Sequence, residues 1–205
     1  TQVSALGLGL MALLLLLFVR TDLLNRWQQT LPADAPNRFV VNVQPEQVSG
    51  VEAFAHAQGL AKPVLFPMVR ARLQAVNGKP VSGADYSEAG ERAKRLAERE
   101  FNLSSTASFG DDNTLTAGKL WAADHIGNPE LSVETEFAET SGWKIGDTVR
   151  FDVAGTPLQA KITSLREVQW ESFKPNFFVV VSPGGLDGFS ASYISALHVP
   201  KAKQP

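Results

Sequence analysis

The sequence predicts an α+β chain: a long apolar N-terminal helix, then an α/β part, then a smaller and mainly β part. Three observations carry this. Val3 to Val19 reads VSALGLGLMALLLLLFV, with no charge and only Ser4 as a polar side chain. Asn37 to Val76 alternates strand-like and helix-like periodicity, and the stretch from Thr148 onward is dominated by period-2 patterns bounded by Gly and Pro. The composition agrees: 205 residues at 44% hydrophobic and 20% charged are enough to bury a core. Nineteen Lys plus Arg against twenty-one Asp plus Glu leave a net charge of -2, no field for gathering nucleic acid. With no cysteine, disulfides, thiolate nucleophiles and Cys-based metal centres are excluded.

The apolar run of seventeen residues would span roughly 25 Å as a helix, a little short of a roughly 30 Å hydrocarbon layer. The sequence opens on Thr1, and the expectation is a transmembrane helix cut at its start, residues 1–31 forming a truncated span and its stalk. A cleaved signal peptide would want a basic stretch before the run and a small-residue cleavage site soon after it. The nearest A-x-A triplet, Ala33-Asp34-Ala35, lies well past the run and precedes Pro36. A buried helix would have to be surrounded by core on every side. Beyond Val19, Leu23, Trp27 and Leu31 recur at i, i+4 and i+8 among Arg20, Asp22, Asn25, Arg26 and Gln28. One continuous helix leaving a bilayer as an amphipathic stalk fits this spacing, with Trp27 suited to an interfacial belt and Pro32 and Pro36 as stops. Charge alone leaves the orientation undecided.

NRFVVNV, residues 37–43, has strand composition. Glu46 to Gln58 puts Val48, Val51, Phe54 and Ala55 on one helical face, with Gly59 as C-cap and His56 turned toward water. In Val64 to Val76, Val69, Ala71, Leu73 and Ala75 alternate with Arg70, Arg72 and Gln74, a half-buried strand broken early by Pro67 and closed by Asn77-Gly78. A β-α-β unit follows. Asp85 with Glu88 resembles a capping box opening a helix to about Phe101, its buried face Ala89, Ala93, Leu96, Ala97 and Phe101. On the other face Arg92, Lys94, Arg95 and Arg99 invite a phosphate-binding reading, but interleaved glutamates make it a solvated face.

Gly110-Asp111-Asp112-Asn113 reads as a turn. Asp124 and His125 lie downstream, yet the spacing matches no metal-ligand motif. Glu134 to Ser141 reads as a short helix stopped by Gly142. Thr148 to Val153 and the return strand with Leu158, Ala160 and Ile162 make a hairpin about Ala154-Gly155-Thr156-Pro157. Trp170, Phe173, Phe177 and Phe178 precede Val179-Val180-Val181, whose consecutive apolar residues predict a central strand buried on both faces, ended by Pro183-Gly184-Gly185. Ser192 to Val199 supplies a last strand, ending near His198. No P-loop, G-x-S-x-G, H-E-x-x-H or strand-following G-x-G-x-x-G occurs. No catalytic, cofactor-binding or metal residue is therefore assigned, and no cofactor is expected.

The stalk segment ALGLGLMALLLLLFVRTDLLNRWQQTLPADAPNRFVVNVQP resembles FtsX/MacB-type ABC transporter permeases, and YbbP-like permease subunits in particular. So do FPMVRARLQAVNGKPV, ERAKRLAEREFNLS, LSVETEFAETSGWKIGDTVRFDVAG and YISALHVP. The resemblance implies a bacterial inner-membrane permease whose soluble domain, similar to the MacB periplasmic core, stands in the periplasm on helices continuous with the membrane spans. It implies a division into an α/β part at 37–103, a mainly-β part with the hairpin at 104–168, and strands at 169–200 returning to the first. It further implies a separate ABC ATPase subunit, met through permease segments outside these residues, and a homodimer in the full transporter. Lipid or other hydrophobic cargo, or a periplasmic partner protein, would be handled by mechanotransmission from the membrane; Pro205 would then be a second cut end. The alternative is a membrane-anchored extracytoplasmic ligand-binding or sensor domain, with an apolar pocket near Trp143, Trp170 and Phe173.

Overall fold

A computed structural model describes residues 2–30, 35–81, 100–122, 124–200 and 202, and the chain divides into two compact units, the first ending at Ala35 and the second beginning at Pro36. The first unit is one helix, α1, Gln2–Thr30, so the apolar run and the stalk share an unbroken hydrogen-bond ladder. Leu13 to Phe18 are all exposed, and Thr21 Oγ1 donates to the Leu17 carbonyl at 2.7 Å, one turn back. The side chains described without interruption run from Gly9 to Asp22; among the described residues no helix is long and apolar enough to cross a membrane.

The second unit opens with β1, Arg38–Val43, a 3-10 turn at Pro45–Gln47, and α2, Val48–Ala57. Gly59, at φ 61°, closes α2 with paired bonds: Gly59 N–H to the His56 carbonyl and Leu60 N–H to the Ala55 carbonyl, both 2.9 Å. His56 is exposed, as its place on the helix predicts. The predicted apolar face is only partly right. Ala55 is buried, whereas Phe54 is 65% exposed, because the next residue on a helix lies about 100° further round.

In β2, Phe66–Val76, the predicted alternation holds from Val69 to Ala75. Pro67 does not break the strand. It is the second residue, paired opposite Tyr193, where one missing donor leaves the later ladder intact. Asn77-Gly78 turns β2 into β3, Lys79–Pro80. The helix predicted from Asp85, and with it Ala89 to Arg99, lies outside the described residues. Its C-terminal end is a correction: Phe101 belongs to the strand β4, Glu100–Ser105, paired with Ala71. Phe101 and Leu103 are buried while Glu100 and Asn102 are exposed, a period of two that overrides the helical spacing back to Ala97.

The remaining elements are β5, Asn113–Gly118; β6, Glu130–Glu134; and α3, Thr135–Ser141, with Glu134 capping its start and Gly142 at φ 70° its end. After them come β7, Thr148–Val153; β8, Thr156–Val168; β9, Val179–Val181; and β10, Ser192–Leu197. The β7/β8 hairpin, the fully buried β9 and the last strand stand where they were predicted.

Strand pairing explains the core. β2 pairs with β4, β4 with β9, β9 with β6, β6 with β8, β8 with β7, and β7 again with β2. This ring closes a six-stranded barrel. Alternate residues of every member point inward and touch: Ala71 opposite Phe101, Leu73 opposite Phe151, Leu131 opposite both Ile162 and Val181. Phe101, Phe137 and Trp143 pack together, with ring centroids 5.2–6.3 Å apart. The barrel leaves no ladder edge within the ring.

The first residues of β2 leave the barrel to pair with β10, whose other edge carries β1, both antiparallel. β1 and β2 are therefore parallel with β10 between them, a split β-α-β arrangement rather than two adjacent strands. β5 lies along the far end of β8. Both layers belong to the predicted α+β class.

Candidate functional site

A cavity of about 460 Å³ opens where three segments distant in sequence meet: Val64 to Phe66, Thr106 to Asn113, and Lys174 to Phe177. Its apolar wall is Val64, Phe66, Phe109, Phe177 and Val180. Phe66 and Phe177 tilt against each other at 6.5 Å, and Phe109 lies 6.1 Å from Trp121, whose Nε1 donates to the Thr106 carbonyl at 3.0 Å. That indole bond fixes the loop carrying Phe109.

The polar side grows from the predicted turn, closed by Asn113 N–H to the Gly110 carbonyl at 3.2 Å. Its two carboxylates part company. Asp111 is exposed and accepts from the Lys174 ammonium, which holds its carboxyl below the usual carboxylate range, the hydrogen bond more than the charge. Asp112 is buried, with Oδ2 accepting from Asn176 Nδ2 at 2.7 Å, while Asn176 Oδ1 accepts from Asn113 Nδ2 at 2.8 Å. His125 is not drawn in; its Nε2 lies 3.2 Å from the Asn128 carbonyl oxygen. Among the described residues no three His, Asp or Glu side chains converge in a way that could hold a metal ion.

Directly behind this wall lies Arg166, fully buried on β8. Its Nη2 donates to the Phe177 carbonyl, its guanidinium carbon stands 5.0 Å from the centre of the Phe109 ring, and Nε and Nη1 meet no acceptor among the described residues. Burial pushes its pKa down to about 10, against the opposing pull of Glu134 and Asp112. Glu134 is committed to α3, accepting from Glu136 N–H at 3.2 Å and Phe137 N–H at 2.6 Å.

The aromatic residues expected to line a pocket lie elsewhere. Trp143 is 4% exposed in the barrel core, because it stacks inside the ring of strands with Phe101. Trp170 packs on Phe178 at 4.9 Å, and Phe173 is half exposed at the end of a 3-10 turn. Arg92, Lys94, Arg95 and Arg99 lie outside the described residues. Missed in the sequence were Phe109, Trp121, Arg166 and Asn176. For Arg166 a signal existed: the period-2 pattern of Leu158, Ala160 and Ile162 continues through Ser164 to Arg166 and Val168, all buried.

No protein-family model matches the chain. Over 198 residues, 96% of its length, it is 40% identical to the uncharacterized ABC transporter permease YbbP of Escherichia coli (strain K12). It spans 23% of that relative. A crystal structure of a domain of a Porphyromonas gingivalis protein, assigned provisionally as a permease, aligns with 82% of this chain and 77% of its own at 12% identity and a TM-score of 0.42. Over nearly its whole length this chain is therefore similar to one stretch of an ABC transporter permease.

Proposed function

We propose that the chain is the extracytoplasmic domain of a permease subunit together with its leading membrane helix, and that it passes movement of that helix to a domain handling hydrophobic or lipid-linked cargo or a periplasmic partner. The observation that carries this is the continuity of α1. Gln2–Thr30 is one helix from the apolar run into the polar stalk, and an unbroken ladder resists axial stretching. The whole uncharged run Val3 to Val19 supports burial of that part in the inner membrane. In this reading the soluble unit stands in the periplasm, contributes no catalysis, and belongs to a homodimer whose ATP hydrolysis resides on a separate subunit.

The test is the full transporter carrying Leu24→Gly and Gln28→Gly, each costing about 1 kcal/mol of helix stability. Assembly with the ATPase should persist while transport falls several-fold. Unchanged transport refutes the coupling role. The cavity at Phe66, Phe109 and Phe177 favours a second reading, a membrane-anchored ligand-binding or sensor domain, in which the isolated chain binds its ligand without the ATPase.

A further inference from the structure

The chemistry of the cavity selects a ligand by charge. Three of its wall residues, Phe66, Phe109 and Phe177, are phenyl rings, whose faces are negative. Lys174 lies on the wall, but its ammonium is held by Asp111. Asp112 lines the cavity with one oxygen, Oδ2, held by Asn176. Its other oxygen, Oδ1, lies over Gly110, where a Cβ would stand only 2.7 Å away; the missing side chain is what gives that oxygen its place. Counting the charges packed here, Asp111, Asp112 and Glu134 face Lys174 and Arg166. Arg166 does not line the cavity: it sits behind the Phe109 ring with Nη2 on the Phe177 carbonyl, and offsets part of the Asp112 charge from there. A carboxylate or phosphate brought to this end meets Asp112, and a neutral hydrocarbon offers its Oδ1 no donor.

We infer that the cavity binds a single-chain primary ammonium compound, with the ammonium on Asp112 Oδ1 against the Phe109 ring and the hydrocarbon along Phe66, Phe177, Val180 and Val64. A volume of about 460 Å³ suits one chain and lies in the usual range of small-molecule sites, roughly 300–1,000 Å³. A free alkylamine and the ethanolamine head of a one-chain lipid share this chemistry. The inference needs only the cavity and stands whether or not α1 transmits movement.

The test titrates the whole 205-residue chain with octylamine, octanoate and octanol, following the Trp121 indole N–H and the Asn176 side-chain amide by NMR. Octylamine, protonated at neutral pH, should shift both signals saturably and bind about tenfold more tightly than octanoate. Asp112→Asn should abolish that preference. Because Asp112 is packed near Arg166, Val64→Arg serves as the second variant: Val64 is 64% exposed, so a cation enters the mouth without disturbing the barrel, and the Trp143 indole signal should stay in place. Octylamine affinity should fall about tenfold there too. Octanoate binding as tightly as octylamine, octylamine shifting neither reporter signal, or Val64→Arg leaving octylamine affinity unchanged would each overturn the assignment. An eight-carbon lysophosphatidylethanolamine separates the sources once octylamine has bound. Tighter binding than octylamine supports the site with a lipid headgroup as its ligand, and weaker binding supports it with a free amine.

Discussion

Arg166 of β8 holds its guanidinium carbon 5.0 Å from the centre of the Phe109 ring, so one aromatic side chain separates a fully buried cation from the cavity. The placement makes Arg166 the counter-charge for two buried carboxylates, Asp112 and Glu134, that approach from different segments.

Replacing Arg166 alone should therefore cost more than its own poor solvation suggests. Arg166→Met strips the Phe177 carbonyl of its donor and leaves both carboxylates buried without a cation, for a loss of about 3 kcal/mol. Adding Asp112→Asn should recover part of it. Urea denaturation of the single and double variants measures this, and fully additive losses would deny the coupling. The pH dependence has the opposite sense to that of a stabilising ion pair. With its folded pKa lowered to about 10 by burial, the unfolded chain binds more protons from there up to the ordinary guanidinium value, so this group's contribution to stability rises with pH across that window.

The β7/β8 hairpin carries a removable flaw. Val153 pairs with Thr156 across a two-residue turn, with Ala154 at φ 49° and Gly155 at φ 89°. Both central residues are left-handed, the geometry of a type I′ turn, which favours Asn-Gly. Ala154→Asn should stabilise the chain by about 0.5–1 kcal/mol, a rise of about 1–4 °C in thermal midpoint. Ala154→Val should lower it.

How far the sequence revealed these features depends on how locally each is encoded. Segments with one wet and one dry face, such as Val69 to Ala75 and Leu158 to Ile162, show their period of two directly. Gly59 and Gly142 cap their helices with positive φ as expected. Barrel closure is not legible, because it depends on Leu73 meeting Phe151 and on β10 entering between β1 and β2; neither leaves a local pattern. Phe101 satisfies both a helical and a strand period, and tertiary pairing decides between them. The acidic turn at Asp111 and Asp112 could be found from residues alone. Its partners could not, since Lys174 and Asn176 lie on a segment more than sixty positions away.

Gly118 should tolerate no side chain. It ends β5 at φ 79°, and a Cβ there would come within 2.1 Å of the Thr163 carbonyl oxygen and 3.0 Å of Ile145 Cδ1. Gly118→Ala must shift β5 away from β8, at a cost of about 2–4 kcal/mol. Faster amide hydrogen exchange confined at first to Asn113–Gly118 and its partners on β8 would report it.

Trp143 and Trp170 should respond in opposite ways. Trp143 packs against Phe101, Phe137 and Phe151 within the barrel, so Trp143→Ala should cost about 3–5 kcal/mol in urea denaturation. Trp170 is 44% exposed and touches Phe178; its loss should cost about 1 kcal/mol. Equal losses would contradict the barrel core as the place of Trp143.

The Asp111–Lys174 pair gives a pH-dependent prediction that also probes the cavity. The hydrogen bond from Lys174 lowers the Asp111 pKa from its ordinary 3.8, so the folded chain binds fewer protons there than the unfolded one. Its contribution to stability is complete above 3.8 and is lost as pH falls through the folded value. Both groups are solvent-exposed and salt-screened, so the readout is the carboxyl titration itself. By carbon NMR, Lys174→Met should raise the Asp111 midpoint toward 3.8, and about 1 M salt should move the wild type the same way. The same substitution removes a cation from the cavity wall and leaves Asp111 uncompensated beside it. Octylamine should then bind more tightly, whereas a cavity built around Lys174 for an anion would lose its ligand.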